Sequence, residues 1–233
     1  MGSKSRIAKH ILPIILKNRK PGQYYVEPFV GGCNSIDKVV GNRIAGDVNE
    51  YLISMWKGLQ SNKERVHEIP KSLYDTYRSI YNANQPVDSD VLFMVGWIGW
   101  MASFNGRFFD GGYSGTHGSR NYIDEQIRNT EKQIEKIRDV EFHSCSYLDL
   151  PIPDDSIIYC DIPYKDTKQY SASRDFNYEL FWDWCRKKSK EGHTVFVSEY
   201  SAPSDFKCVW SMEITNAMNT TKTYKPIEKL FTL

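Results

Sequence analysis

Three stretches of this sequence place chemically useful residues directly after apolar segments that are typical of strands. Glu27 is followed by Pro-Phe-Val-Gly-Gly, Asp47 ends a second apolar segment twenty residues later, and Asp161 ends a third and precedes Ile-Pro-Tyr. Glycines let a backbone approach a ligand closely, and a carboxylate at the position of Asp47 can accept both hydroxyls of a ribose. The first two stretches together favour a cofactor that carries a nucleoside.

The glycine pattern argues against the commonest nucleotide cofactors. The sequence contains neither the G-x-G-x-x-G of a dinucleotide-binding fold nor the G-x-x-x-x-G-K-[ST] of a phosphate-binding loop. S-adenosylmethionine has no pyrophosphate to cradle, so the turn from Glu27 to Gly32 suits this cofactor better. A plain nucleotide-binding domain, with affinity for NAD or ATP, stays open as a weaker alternative.

Strands and helices alternate along most of the chain and must position these residues. Periodicity and turn residues predict helices at Arg6–Asn18, from Asn34–Ser35 onward, after a cap at Asn49, at Asp124–Ile137 and at Tyr178–Lys190. They predict strands at Tyr24–Phe29, Arg43–Asp47, Val140–Cys145, Ile157–Asp161 and Thr194–Ser198, and a closing antiparallel pair at Val209–Ile214 and Ile227–Leu233. The pattern indicates an open, mostly parallel α/β sheet, with ligands at the carboxyl ends of its strands.

One region interrupts this alternation. Residues 62–122 contain two helical stretches and then a loop, Ser103 to Gly115, in which glycine, aromatic and polar residues follow no period. Long loops of this kind in compact domains are usually functional. We therefore divide the chain into a core, residues 1–61 and 123–233, and a helical insertion, residues 62–122.

Composition narrows the class of protein. The 233 residues carry 30 Lys and Arg against 29 Asp and Glu, a net charge of +1, so any nucleic-acid surface must be local. No apolar run approaches the roughly 18 residues of a membrane-spanning helix, and no signal peptide is evident. Five cysteines without a C-x-x-C pair indicate reduced thiols in a cytoplasmic protein, and the scattered histidines predict no metal site.

The segment Cys160 to Tyr164 resembles the Asp-Pro-Pro-Tyr box of amino-methylating DNA methyltransferases. Further segments occur in the order typical of the Dam-like (D12 class) adenine-N6 family, and the later ones resemble phage-type members especially: Gly2–Lys4 with Ile7–Ala8, Glu27–Gly32, Gly46–Asn49 with Leu52–Ile53, Ser103–Gly106, Cys145–Tyr147, Phe181–Trp184, Val197–Pro203 and Glu228–Phe231. The resemblance spans nearly the whole chain. It implies a Rossmann-like, S-adenosylmethionine-dependent methyltransferase fold and an enzyme that methylates N6 of an adenine flipped out of double-stranded DNA.

The resemblance also implies roles for individual residues. Asp161 and the carbonyl of Ile162 would accept the two hydrogens of the adenine amine, Pro163 would shape the turn, and Tyr164 would stack on the base. The implied cofactor-binding residues are Lys4 near the carboxylate end, Asp47 at the ribose, and the remaining set Glu27, Phe29, Gly31, Ser146, Tyr147 and Asp161. No nucleophilic Ser or Cys is needed, and Cys33 and Cys160 are expected to pack in the interior.

DNA contact is expected from the insertion and from one late segment. The candidates are cations that could meet phosphates and loop aromatics that could stack or wedge: Phe104, Arg107, Phe108, Tyr113, Arg120 and Lys222, with Arg128 and Lys225 as further cations. The recognition sequence and the oligomeric state are not readable from the chain.

Two departures from the family pattern leave alternatives open. Cys33 stands where a glycine or small residue is usual, and Ile162 stands where the first proline of the box is usual. Proline fixes φ and carries no N–H, so isoleucine loosens the turn and adds a donor. The alternatives are a weakened or non-catalytic protein that still binds cofactor or DNA, and an enzyme that methylates cytosine N4, RNA or a protein amide.

Overall fold

The structure of the protein, a computed structural model, describes residues 4–164, 176–213 and 227–233. Within those ranges the elements are α1 (Ser5–Ile15), β1 (Tyr25–Glu27), β2 (Arg43–Asp47), α2 (Glu50–Gln60), α3 (Lys71–Ala83), α4 (Ser89–Ala102), β3 (Thr116–His117), β4 (Arg120–Asn121), α5 (Tyr122–Ile134), β5 (Val140–Ser144), β6 (Ile157–Asp161), α6 (Tyr178–Lys190), β7 (Thr194–Glu199), β8 (Lys207–Glu213) and β9 (Ile227–Thr232). One-turn 3₁₀ helices lie at Ile36–Lys38, Phe104–Gly106 and Glu135–Ile137.

Within the described residues, seven strands form one sheet in the order β5-β2-β1-β6-β7-β9-β8. The pairs among β5, β2, β1, β6 and β7 are parallel, whereas β9 runs antiparallel to both β7 and β8. The order reverses between β1 and β6, which is where an open α/β sheet offers a crevice for ligands. The predicted parallel sheet and antiparallel closing pair are therefore confirmed.

The central strands are apolar because both of their faces are covered. Every residue of β1 is buried, as are the first four of β2 and of β6. One face packs against α1, α2, α4 and α5, and the other packs against α6. A strand buried on both faces reads as a continuous apolar run, which is why these strands were predictable from sequence.

Asparagine side chains fix the starts of three helices. The Asn49 side chain accepts a hydrogen bond from the Leu52 N–H at 3.1 Å, and Asn177 does the same for Leu180 at 3.0 Å. Asn121 caps α5 in the same way. These caps satisfy N–H groups that have no partner inside the helix, and they fix where the loop before each helix must end.

The inserted helices share the hydrophobic core of the sheet. Helix α4 is apolar on nearly all sides and buries Phe93 and Trp97 between α2 and α3. A Cβ on Gly96 would lie 2.0 Å from the Tyr51 carbonyl oxygen, so only glycine permits this close crossing of α2 and α4. The division into a core and an insertion at residues 62 and 122 stays a prediction.

The predicted loop after α4 is largely irregular, but it ends in structure that the sequence did not predict. A short antiparallel hairpin pairs Thr116 with Asn121 and His117 with Arg120. Strands of two residues carry no readable alternation, so this hairpin gave no periodic signal. Its position fixes the end of the loop immediately before α5.

Candidate active site

The three carboxylates singled out from the sequence lie at one edge of the sheet. Glu27, Asp47 and Asp161 each end a strand, and β1 lies between β2 and β6. Because these strands are parallel, their carboxyl ends meet at the same edge. The fold thus brings together residues from three separate parts of the chain.

The glycine turn after β1 depends on backbone conformations that few residues adopt. Gly31 has φ +47° and Cys33 has φ +53°, which is uncommon for a residue other than glycine. A Cβ on Gly32 would lie 2.6 Å from the Trp100 ring, and the Trp56 indole N–H donates to the Gly31 carbonyl at 2.9 Å. Because Cys33 adopts a left-handed conformation, a cysteine is less favourable at this position than a glycine would be.

The helix predicted from Asn34–Ser35 onward is wrong. The chain forms only the 3₁₀ turn Ile36–Lys38, because Val39 is already extended, with ψ 137°, and β2 begins at Arg43. Too few residues remain for an α-helix. The glycine turn therefore offers a ligand its loop backbone rather than the N-terminus of an α-helix.

Asp47 is held by the backbone on both sides. One of its carboxylate oxygens accepts the Gly31 N–H and the other accepts the Asn49 N–H, each at 3.0 Å. Burial raises the pKa of this carboxyl, and the two backbone hydrogen bonds counteract that effect. Since each carboxylate oxygen can accept more than one hydrogen bond, the fixed group keeps capacity for a diol.

Exposed apolar side chains flank Asp47, and sequence reasoning missed them. Val48 directly follows Asp47 and is 61% exposed, while Leu148, after the neighbouring strand β5, is 48% exposed. Phe29 and Tyr147 pack with ring centroids 5.3 Å apart, and the Ser146 hydroxyl accepts the Leu148 N–H. An exposed apolar surface near a fixed carboxylate fits an adenosine. The signal for Val48 in the sequence was its position directly after the strand end at Asp47.

The turn after β6 is braced despite its isoleucine. The Ile162 side chain is 3% exposed and packs in the core on the α6 side of the sheet. The Tyr178 hydroxyl, at the start of α6, donates to the Pro163 carbonyl at 2.8 Å. Burial and this tether restrain a turn that the missing proline would otherwise have fixed. Tyr178 was not predicted as part of the site.

Asp161, whose side chain is 30% exposed, borders a cluster of charged and hydroxyl groups in which Lys4 and Glu228 are buried. Its carboxylate is 3.2 Å from the Lys4 ammonium, which is 2.5 Å from the Glu228 carboxylate. The Tyr164 hydroxyl accepts from Lys4 and donates to Glu228. Lys4, expected near the carboxylate end of a cofactor, is thus already paired with two acids of the chain.

Burial is the largest influence on the pKa values of Asp161 and Glu27. It raises the pKa of Asp161 to about 6, an effect opposed by Lys4 and reinforced by Glu228. Burial alone would lower the pKa of Lys4, but its pairing with Asp161 and Glu228 outweighs this and raises it. Burial also raises the pKa of Glu27 to about 8, although the Tyr25 hydroxyl donates to its carboxylate at 2.7 Å.

The predicted DNA-contact residues occupy different environments. Phe104 is 40% exposed, and Arg120 is exposed and paired with Glu125 at 2.7 Å. Arg107 and Tyr113 are half-buried, and the Tyr113 hydroxyl donates to the Ile69 carbonyl. Lys222 lies outside the described residues.

Phe108 requires a correction. It is only 9% exposed, and its ring contacts those of Tyr51, Tyr81 and Phe109. Its side chain is part of the core between α2, α3 and the loop, so it is not available to stack on a DNA base.

Cys33 and Cys160, which were expected to pack in the interior, are buried free thiols.

The described ranges contain neither a group of side chains suited to a metal ion nor a helix able to cross a membrane. Among residues 4–164, 176–213 and 227–233, no three His, Cys, Asp or Glu side chains are grouped as a metal site would need. No helix in the same ranges has both the length and the apolar character to cross a membrane.

The sheet order, with the antiparallel strand β9 and the carboxylates at the carboxyl edge, defines a Rossmann-like methyltransferase fold. The family model described as D12 class N6 adenine-specific DNA methyltransferase matches residues 1–232, so the chain belongs to that family. No curated protein matches the chain. A solved structure with 12% sequence identity, "Crystal structure of SMU.472, a putative methyltransferase complexed with SAH", covers 100% of this chain with a TM-score of 0.43. This chain spans about half of that one, 52%.

Proposed function

We propose that this protein transfers a methyl group from S-adenosylmethionine to N6 of adenine in double-stranded DNA. The observation that carries the proposal is the position of Asp161, at the same sheet edge as Asp47 and in a braced turn. Family membership supplies the reaction class, and this edge supplies an acceptor for an amine beside a site suited to a nucleoside.

The residues around Asp47 fit the proposed cofactor. Asp47 would bind the ribose hydroxyls, Gly31 leaves room at the turn, and the apolar surface of Phe29, Val48 and Leu148 would border the adenosine. Ser146, Tyr147 and Glu27 complete the proposed set of neighbours. When bound, S-adenosylmethionine supplies a methyl group on a positively charged sulfur, which takes up the C–S electron pair and leaves as a thioether.

Asp161 and the Ile162 carbonyl would activate the target nitrogen. The lone pair of an adenine amine is delocalised into the ring, so acceptors must draw on both of its hydrogens to localise it. N6 then forms the new bond to carbon and releases one proton, for which the Asp161 carboxylate is the acceptor within reach. Tyr164 would stack on a base rotated out of the duplex, since N6 cannot be reached inside the stack.

We further infer that residues 62–122 contact the DNA and that residues 1–61 and 123–233 form the catalytic core. Phe104, Arg120 and Arg128 are exposed, and Arg107 and Tyr113 are partly so. Phosphate contacts from such cations position a protein without specifying a sequence. With a net charge of +1, affinity should be modest and strongly salt-dependent.

The test is transfer of labelled methyl groups to duplex DNA, followed by analysis of the methylated nucleoside. N6-methyl-2′-deoxyadenosine from the wild type, absent with Asp161→Ala, supports the proposal. N4-methyl-2′-deoxycytidine, or transfer to RNA or protein alone, replaces it with a related activity. Cofactor binding without transfer to any duplex identifies a non-catalytic binder. Asp154→Asn, exposed in the loop before β6 and at the opposite edge of the sheet from Asp161, is the matched control.

A further inference from the structure

Glu228 is a buried acid that the reaction scheme above does not use. It lies on β9, is 2% exposed and sits 2.5 Å from the Lys4 ammonium, 224 residues away in the sequence. The Tyr164 hydroxyl also donates to it. Charged groups are rarely this buried without partners, because removing one ion from water costs several kcal/mol.

The cluster contains two carboxylates and one ammonium. Lys4 lies closer to Glu228, at 2.5 Å, than to Asp161, at 3.2 Å. A lysine held by Asp161 alone would compete with an incoming amine for the oxygens of that carboxylate. Glu228 shares the ammonium, so the cluster keeps one net negative charge beside the catalytic turn.

A net negative charge at this place suits the proposed reaction. The methyl donor is a cation, and N6 becomes positively charged as the new bond forms, until it releases its proton. Fixed groups aimed at developing charge stabilise a transition state most effectively in a site that excludes water.

We infer that Glu228 is a positioning residue for methyl transfer: by binding Lys4 and Tyr164, it leaves Asp161 free to accept the hydrogens of the substrate amine. The inference rests on the proposed function. Glu228 acts through Lys4 and Tyr164 and need not touch the adenine. Its second role is to hold the Tyr164 side chain against the end of β9, at the catalytic turn.

The groups around Asp161 determine how the inference can be tested by pH. They are Lys4 before α1, Glu27 on β1, Tyr159 and Cys160 on β6, Tyr164 in the turn, Glu199 on β7 and Glu228 on β9. Asp161 must be ionised to accept an amine hydrogen, so activity is lost as pH falls through its pKa, about 6. Glu228 raises this pKa and Lys4 lowers it.

When kcat is plotted against pH, the acidic limb is the range in which kcat falls with falling pH. Glu228→Gln is therefore expected to move this acidic limb to lower pH. The value of kcat should fall roughly 10- to 100-fold, because Asp161 is drawn towards Lys4, while KM for S-adenosylmethionine changes less than about threefold. Lys4→Met should move the limb in the opposite direction. In Lys4→Met/Glu228→Gln no ammonium competes for Asp161, so kcat should exceed that of Glu228→Gln alone.

Controls separate this inference from a structural role. Glu228→Asp keeps the charge and should keep the limb near its wild-type position, whereas Glu213→Gln, exposed on β8, should change neither kcat nor the limb. Thermal melting and cofactor binding monitor the fold of each variant. Should Glu228→Gln not fold, Glu228→Asp and Lys4→Met carry the test.

An active wild type whose acidic limb and kcat are unchanged by Glu228→Gln, or unmoved by Lys4→Met, overturns the inference and leaves the proposed function intact. The inference is also overturned if the fold-losses of kcat in the two single variants simply multiply in Lys4→Met/Glu228→Gln. A wild type that binds cofactor but transfers no methyl group to DNA removes the proposed function, and the inference with it.

Discussion

The candidate site has two halves, a nucleoside half around Asp47 and an amine half around Asp161. The two halves hold their carboxylates in different ways. Asp47, in the nucleoside half, is fixed by the backbone N–H groups of Gly31 and Asn49, which lie close to it in the chain. Asp161, in the amine half, is held by the Lys4 side chain, which it shares with Glu228 from the opposite end of the sequence.

This difference assigns the halves different tasks. Backbone hydrogen bonds fix the direction of an acceptor, which suits recognition of a ligand of constant shape. Side-chain ion pairs in a buried place also set charge and pKa, which suits a group that must engage an amine during a reaction. Substitutions in the two halves should therefore affect different measured quantities.

The largest expected effect is that of Asp161→Ala. Removing the carboxylate leaves the Ile162 carbonyl as the one remaining acceptor of the pair, and kcat should fall by about 10³-fold or more, comparable to losing a key transition-state hydrogen bond. The dissociation constant of S-adenosylmethionine should change much less. Single-turnover kinetics and calorimetry measure the two quantities, and a variant that loses binding and turnover equally would contradict the division between the halves.

Glu27 lies between the halves, and its replacement should alter how stability depends on pH. Burial raises its pKa from 4.5 to about 8, so in this window the folded chain holds a proton that the unfolded chain has released. Its contribution to stability therefore falls as pH rises from 4.5 to 8. Glu27→Gln stays neutral and keeps an acceptor for Tyr25, so its stability should not show this fall, which is on the order of 5 kcal/mol.

Urea unfolding at several pH values between 4 and 9 measures this difference. Asp161, whose pKa is raised from 3.8 to about 6, lowers the free energy of unfolding of both proteins as pH rises. This contribution is the same in both, so it cancels when the two curves are subtracted. Parallel curves for wild type and Glu27→Gln would show that Glu27 is ionised in the folded state at neutral pH.

Sequence reasoning predicted the strands that end at the site better than it predicted the contacts between the side chains of the site. Strands β2 and β6 and helix α6 begin and end at the predicted residues, because an apolar run that stops at Asp47 or Asp161 marks its own end. The cap at Asn49 was equally local. By contrast, Glu228 reads as an ordinary charged residue of a closing strand, and nothing near it in the chain indicates that it meets Lys4.

The remaining errors have two origins. The helix expected after Asn34 is excluded by a local constraint, because Val39 is already extended and β2 begins at Arg43. Phe108 packs in the core against rings on α2 and α3, which are distant from it in sequence. The family resemblance identified Asp161 and Tyr164, but their partners emerged only from the fold.

Gly32→Ala tests the rigidity of the nucleoside half. The added methyl would lie 2.6 Å from the Trp100 ring and 2.8 Å from the Asn34 amide nitrogen. A buried indole cannot move freely, so we expect a loss of about 1–3 kcal/mol in the free energy of unfolding. Gly46→Ala is the matched control, since its methyl would meet the flexible end of Leu150 at 2.9 Å.

Denaturant unfolding of the two alanine variants gives the comparison directly. Gly46→Ala should lose clearly less stability, because a leucine methyl can rotate away. Equal losses would mean that Trp100 yields as easily as Leu150, and that the glycine turn is less constrained than its contacts indicate.

Asp47→Asn should have the smallest effect, and one confined to binding. The amide keeps one acceptor oxygen but turns an NH₂ group towards one of the two backbone N–H groups that the carboxylate now accepts. We expect the dissociation constant of S-adenosylmethionine to rise about 10- to 100-fold, the equivalent of one or two lost charge-assisted hydrogen bonds. At saturating cofactor, kcat should stay within about threefold of the wild type, because the acceptors of the amine half are untouched. Asp154→Asn, exposed in the loop before β6, is the control for loss of an acidic charge. A fall in kcat at saturation comparable to that of Asp161→Ala would mean that Asp47 also positions the reacting groups, and that the two halves are coupled more tightly than their separate hydrogen-bond networks indicate.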